Sequence, residues 1–386
     1  MATDRPNRCR RLAVAALILA LCPPCGAAPY TPASDQTVLT RLPASLQTLA
    51  PPRQPLDHDQ ALQLARRQIQ QARREGDPRF LGYAQATLAP WQDERQKDAA
   101  VGILLATVEQ SRHQYLKARD HLRALLAQHP DQGQAWLTLA VIERVQANYD
   151  KASQACRETA GHLPPSATVI CLASIQALTG PPDAAYQRLQ RLAASNLPMS
   201  PAQRRWMYTE LAEIAWQKGD DRQTLNYAKK GLASQPDDRY LRFVKADAEL
   251  ALGDNQSVIR DWQHNIAIDG GLLRLAIAGQ RAHDPRASHW ADLYQQRLQA
   301  AAQARQQLHL REQARFQLQV LQQPEAALAT AKRNWQIQKE PADLRILAAT
   351  ASACDDAQTL ALARRFIDQH GLQDQRLPAA LRRGNG

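Results

Sequence analysis

The chain has 386 residues, with 48 Lys and Arg against 37 Asp and Glu, 44% hydrophobic and only 5% aromatic residues, and few Gly, Phe or Met. That length exceeds what one hydrophobic core supports, so the chain is either several globular domains or a repeat array without a central core. A composition led by Ala, Leu, Gln and Arg, and poor in β-branched and aromatic residues, favours helices and the array, and argues against a sandwich, a barrel or a doubly wound sheet.

Residues 1–27 read as a secretory signal peptide. Arg5, Arg8, Arg10 and Arg11 precede the apolar run Leu12 to Leu21, which is too short for a permanent span, and the small residues Gly26, Ala27 and Ala28 follow it. Cleavage is expected after Ala27, leaving 44 basic and 36 acidic residues, a net charge of +8, on a periplasmic or secreted chain. A lipid-anchored form is not expected, because Leu21 stands before Cys22 where a small residue is needed. The basic excess is spread along the helices instead of forming a stripe, which argues against nucleic acid as partner. Cys9, Cys22 and Cys25 leave with the leader. Of the rest, Cys156 and Cys171 lie on consecutive predicted helices and form a candidate disulfide in an oxidising compartment; the alternative is that both are small buried packing residues, and Cys354 is left over.

Residues 28–56 form a Pro-rich arm with little helix potential, and from residue 57 the chain becomes helical. Within 57–272, Trp136, Leu139, Ala140, Tyr149, Ala152 and Pro164 set a spacing that recurs 34 residues earlier as Leu105, Ala106, Tyr115, Ala118 and Pro130. Further copies carry Leu172, Ala173, Gly180 and Ala185; Leu211, Ala212, Gly219, Ala228 and Pro236; and Ala246, Gly253 and Trp262. Small residues are required where two helices cross closely, glycine where a helix ends left-handed, and proline where the second helix must stop. Residues 273–307 break this rhythm and read as an irregular helical insertion, with one long helix or two nearly continuous ones from about Ser288 to Leu321. Residues 308–371 hold two worn pairs around Ala327, Ala331, Trp335, Leu344, Leu347, Ala348 and Phe366, and 372–386 form a tail.

The pattern resembles the tetratricopeptide repeat, a 34-residue helix-turn-helix, over about six repeats in 57–272. The resemblance implies an all-α, right-handed superhelical solenoid whose concave groove binds a partner. It departs from the family where an aromatic normally ends the first helix's stripe, since Glu109 and Glu143 stand there. In the family the groove is lined by first-helix residues one, five and eight places after the first Trp slot, which here gives Leu137, Val141 and Arg144, then Thr209, Glu213 and Trp216, then Phe243 and Asp247, with Trp206 and Tyr240 just before. The Lys and Asn set that clamps a terminal carboxylate is missing from these positions.

Nothing in the sequence carries chemistry. Gly-rich phosphate loops, HExxH and GxSxG are absent, and Asp57-His58-Asp59 reads as a helix cap. No cofactor, metal or catalytic residue is expected. The expected function is a non-catalytic exported scaffold or adaptor for another envelope protein, with an accessory role in polysaccharide or polymer export, through aromatics stacked on sugar rings, as the alternative.

Overall fold

In the computed structural model residues 56–303 and 309–382 are described, together with 34, 48–52 and 54. The expected signal peptide and most of the Pro-rich arm lie outside the described residues. The chain divides into two compact units, residues 1–48 and 49–386, and the second contains the helical array.

Eighteen α-helices and no strand occur among the described residues. They follow one another as nine hairpin pairs: α1 (His58–Glu75) with α2 (Arg79–Leu88), α3 (Ala99–Ser111) with α4 (Tyr115–Gln128), α5 (Gly133–Val145) with α6 (Tyr149–Arg157), α7 (Pro165–Gln176) with α8 (Asp183–Ala194), and α9 (Pro201–Gln217) with α10 (Asp221–Leu232). The series continues with α11 (Arg239–Ala251) and α12 (Asn255–Trp262), α13 (Asp269–Arg281) and α14 (Ala287–Gln303), α15 (Leu310–Gln319) and α16 (Pro324–Ile337), and α17 (Pro341–Ala353) and α18 (Ala357–His370). Each first helix touches the first helix of the next pair, so the odd-numbered helices form one unbroken inner layer. The chain is an all-α solenoid.

In six of the nine pairs the turn takes one common form. His113, Ala147, Gly219, Gly253, His283 and Asp355 all have positive φ, and the residue after each donates its N–H to the carbonyl five residues back, as in Asn148 to Glu143 at 2.8 Å. This Schellman arrangement satisfies carbonyls that the helix end leaves orphaned. Gly180, expected to play that part, does not have positive φ.

Small residues occupy the helix crossings. Ala106, Ala118, Ala140 and Ala152 are all buried. Ala140→Leu is expected to overpack the α5 crossing and cost roughly 1–3 kcal/mol in chemical denaturation, and unchanged unfolding would count against this register. Cys156 and Cys171, in α6 and α7, are joined by a disulfide with Cα atoms 5.6 Å apart.

Residues 273–307 are not an irregular insertion. Over the residues described there, α13 and α14 form an ordinary pair in line with the others. The reason the sequence looks interrupted is spacing: the left-handed turn residue His283 follows Gly253 after 30 positions, short of the 34-residue period, while Gly271 to Gly279 of α13 are buried without a break. Downstream, the run from Ser288 to Leu321 contains two helices, α14 and α15.

The glutamates at the positions where the sequence resemblance leads one to expect an aromatic are buried and paired. Glu143, 1% exposed, accepts from Arg123 of α4 at 2.6 Å and from Asn148 at 2.7 Å. Glu109 bonds His121 at 2.7 Å, and Glu249, at the same register in α11, bonds Lys245 at 2.6 Å. A charged pair thus fills the slot that an aromatic would otherwise fill.

Candidate functional site

The inner layer winds tightly enough to meet itself. α1 packs against α11, and the link between α16 and α17 lies on the end of α5, where Lys339 N–H donates to the Val145 carbonyl at 2.8 Å and the Gln146 carboxamide donates to the Ile337 carbonyl at 2.8 Å. Tyr115 reaches Gln338 at 3.0 Å from the other side of the same seam. Residues nearly two hundred positions apart therefore share one apolar cluster, in which Leu139, Ile142 and Tyr149 join Trp335, Leu344 and Leu347.

Closure brings together charges from α5, α9, α15 and α17. Arg144 on α5 lies 3.5 Å from Glu210 on α9 and 3.9 Å from Glu340 at the start of α17. Arg311 on α15 lies 3.1 Å from Glu340 and 3.4 Å from Asp343. Burial opposes the charge on both arginines, but the carboxylates around them outweigh it and hold their pKa values above the ordinary range. Burial likewise opposes the Glu340 charge, yet Arg311 and Arg144 pull its carboxyl below the usual value. Asp343 goes the other way, raised by burial and by Glu340 beside it, although Asn334 and Gln338 donate to it at 2.7 and 3.0 Å. His113, stacked on Tyr115 at 5.6 Å, is pushed down to about 4 by burial and by His309 and Arg311, so it stays neutral near pH 7.

The ten expected groove residues all sit on the inner layer, and none is fully buried. Their surroundings differ. Leu137 and Val141 are half-buried beside Arg144 on α5. Trp206 donates its indole N–H to Glu210 at 3.0 Å, and Thr209 turns its hydroxyl back to the Arg205 carbonyl at 3.0 Å. Trp216 is covered by the Arg376 guanidinium, 3.7 Å from the ring centroid. Phe243 packs on Trp262, with centroids 5.5 Å apart, and lies 4.5 Å from the Arg274 guanidinium. Asp247 is held between Arg274 at 2.6 Å and Arg315 at 2.8 Å. The expectation of an open groove is corrected at these last three positions, where the chain's own later residues occupy the face.

Tyr240 and Glu213 are different. The Tyr240 residue is 49% exposed, and its hydroxyl donates to Glu213 at 2.7 Å. Packing around that hydroxyl, then Glu213 and Glu340, push the phenol well above its ordinary pKa. Burial raises the Glu213 carboxyl, against the pull of Arg345 and of the tyrosine bond. Among the described residues no basic side chain pairs with Glu213 at ion-pair distance, and the Tyr240 ring beside it is exposed on the inner layer.

The chain is similar to two solved tetratricopeptide structures. One is a tetratricopeptide repeat protein from Parabacteroides merdae ATCC 43184, at 12% identity and a TM-score of 0.34, covering 75% of this chain and 99% of that one. The other is the TPR domain of P58(IPK), at 14% identity and a TM-score of 0.25, covering 81% of this chain and 99% of that one. No family model and no curated protein matches the sequence.

Sequence reasoning missed Arg311, Glu340, Asp343 and Arg345. Glu340 and Asp343 stand at the start of α17, where they form a reciprocal cap, and locally they read as nothing more. Only closure brings them to Arg144. Asp57 caps α1 by accepting from Gln60 N–H at 2.8 Å, and His58 meets Asp98 at the start of α3 at 2.5 Å. No group of three or more His, Cys, Asp or Glu side chains is placed to hold a metal among the described residues. No helix there is long and apolar enough to cross a membrane.

Proposed function

We propose that this chain is a non-catalytic, exported helical-repeat scaffold that holds an extended segment of another envelope protein against its inner layer. The observation that carries this reading is the open Tyr240 ring beside Glu213, which has no basic partner among the described residues. Together they offer an aromatic face and a negative charge to a basic side chain, and the half-buried Leu137 and Val141 belong to the same layer. The periplasmic or secreted location rests on the Arg-rich leader, and an oxidising compartment suits the bond between Cys156 and Cys171. The polysaccharide alternative has less support, since Trp216 and Phe243 are covered by arginines, whereas Tyr240 keeps a largely open ring.

Capture from envelope extract tests the proposal, with the parent run beside a Glu213→Gln/Tyr240→Ala variant whose fold is checked by circular dichroism. A specific partner is expected on the parent and about ten-fold less of it on the variant, the loss of roughly 1.4 kcal/mol at a basic anchor. Equal capture by both would remove these residues from the site.

A further inference from the structure

The segment that follows α18 leaves the helix at Gly371, left-handed with φ +69, passes through a turn in which Leu377 N–H donates to the Asp374 carbonyl at 3.3 Å, and ends in the short 3₁₀ turn Ala379–Leu381. It crosses the ends of α7 and α9. There the Gln217 carboxamide donates to the Ala177 carbonyl and to the Gln373 carbonyl, each at 2.7 Å, and Gln375 N–H donates to the Gln217 carbonyl at 2.9 Å. A carbonyl at one residue and an N–H two residues later are thus both held, the spacing by which a strand edge captures an extended peptide. A carbonyl and an N–H two residues later are held in a similar way at 337–339 on the end of α5.

Side chains add specificity to this backbone clamp. Arg376 lies over the Trp216 ring at 3.7 Å, donates to the Trp216 carbonyl at 3.0 Å and pairs with Asp221. Leu372 and Leu377 are buried on either side of it, and Asp374 meets Arg345 at 2.7 Å. Every element of a peptide-recognition site is present: a main-chain clamp, an aromatic and acidic seat for one arginine, and apolar seats flanking it.

We infer that the ends of α7 and α9 form a binding site for a partner segment that turns at an arginine and carries leucines four residues before and one after it, and that residues 371–382 fill this site in cis. The inference rests on the scaffold reading and names both the partner's chemistry and its gate. A partner segment competes with the chain's own, so binding tightens when the internal contact is weakened.

The test uses the full chain and a labelled peptide with the sequence of residues 371–382, followed by fluorescence anisotropy. Arg376→Ala weakens the internal segment while leaving Trp216, Asp221 and Gln217 in place, and it is expected to bind the peptide about ten-fold more tightly than the parent, as removal of an internal competitor requires. A peptide with alanine at the arginine position should lose that gain. Gln375→Pro, which removes the clamped N–H, provides a second weakened chain if Arg376→Ala does not fold. Equal peptide affinity for the parent and for a folded weakened chain would overturn the proposal, as would a variant that dimerises instead of binding peptide, which would assign the site to a second copy. If peptide binding behaves as expected but the extract yields no partner, the adaptor reading fails and the site stands.

Discussion

Trp262→Ala is expected to lower stability by about 3–5 kcal/mol, the range for removing a fully buried aromatic side chain. Trp262 is 1% exposed and is the largest fully buried side chain among the described residues. It joins α12 to both neighbouring first helices. Phe243 of α11 packs against it at 5.5 Å, the Arg242 guanidinium sits 4.2 Å from its ring, and Gly271 of α13 lies so close that a Cβ there would collide with the ring. The surrounding cluster, with Leu250, Val258, Leu272 and Trp290, comes from four helices and cannot collapse into the space without breaking those contacts. Urea unfolding followed by far-ultraviolet circular dichroism measures the loss. Gly271→Val approaches the same site from the other side and should also destabilise, by overpacking. A loss below about 1 kcal/mol for Trp262→Ala would mean that α12 is not wedged between α11 and α13.

The parts of the fold that are legible in the sequence are those set by local sterics. Ala140 and Ala152 have to be small because two helix axes approach there, and that requirement shows as spacing whatever the rest of the molecule does. α13 is illegible because its unit is shorter: its turn residue His283 follows Gly253 after 30 positions, so the 34-residue spacing that marks the other copies is missing there. The inner layer is half legible. The register places Arg144, Glu213 and Tyr240 on the inner layer, but the repeat spacing says nothing of where a superhelix closes. The contacts of Gln146 with Ile337 and of Gln217 with Gln373 span 191 and 156 residues. No periodicity reports such distances, and so the covering of Trp216 and Asp247 by Arg376, Arg274 and Arg315 is hidden.

Arg274 provides the second large effect, and its size should depend on pH. The side chain is 5% exposed, pairs with Asp247 at 2.6 Å, and donates to the Gly270 carbonyl at 2.8 Å. Burial is the largest influence on Asp247 and would raise its carboxyl, but Arg274 and Arg315 together outweigh it and hold the pKa below the ordinary value. A depressed carboxyl contributes stability that is fully present above its unfolded pKa and is lost as the pH falls through the folded one. Arg274→Met keeps much of the apolar volume and removes the main cation. Breaking a buried pair from one side costs about 3–5 kcal/mol, because the remaining charge is left poorly compensated. In the variant, burial acts on Asp247 against Arg315 alone, so its carboxyl rises. Protonation then relieves the penalty, and the difference between parent and variant should be largest near pH 7 and shrink steadily towards about pH 4 and below. Asp247→Asn should remove most of that pH dependence, and the double variant should lose less than the two single losses combined, since both act on one pair. Urea midpoints at about pH 7 and about pH 4 for the parent and three variants decide the matter. A loss for Arg274→Met that is the same at both values would mean that Asp247 is not the charge it compensates.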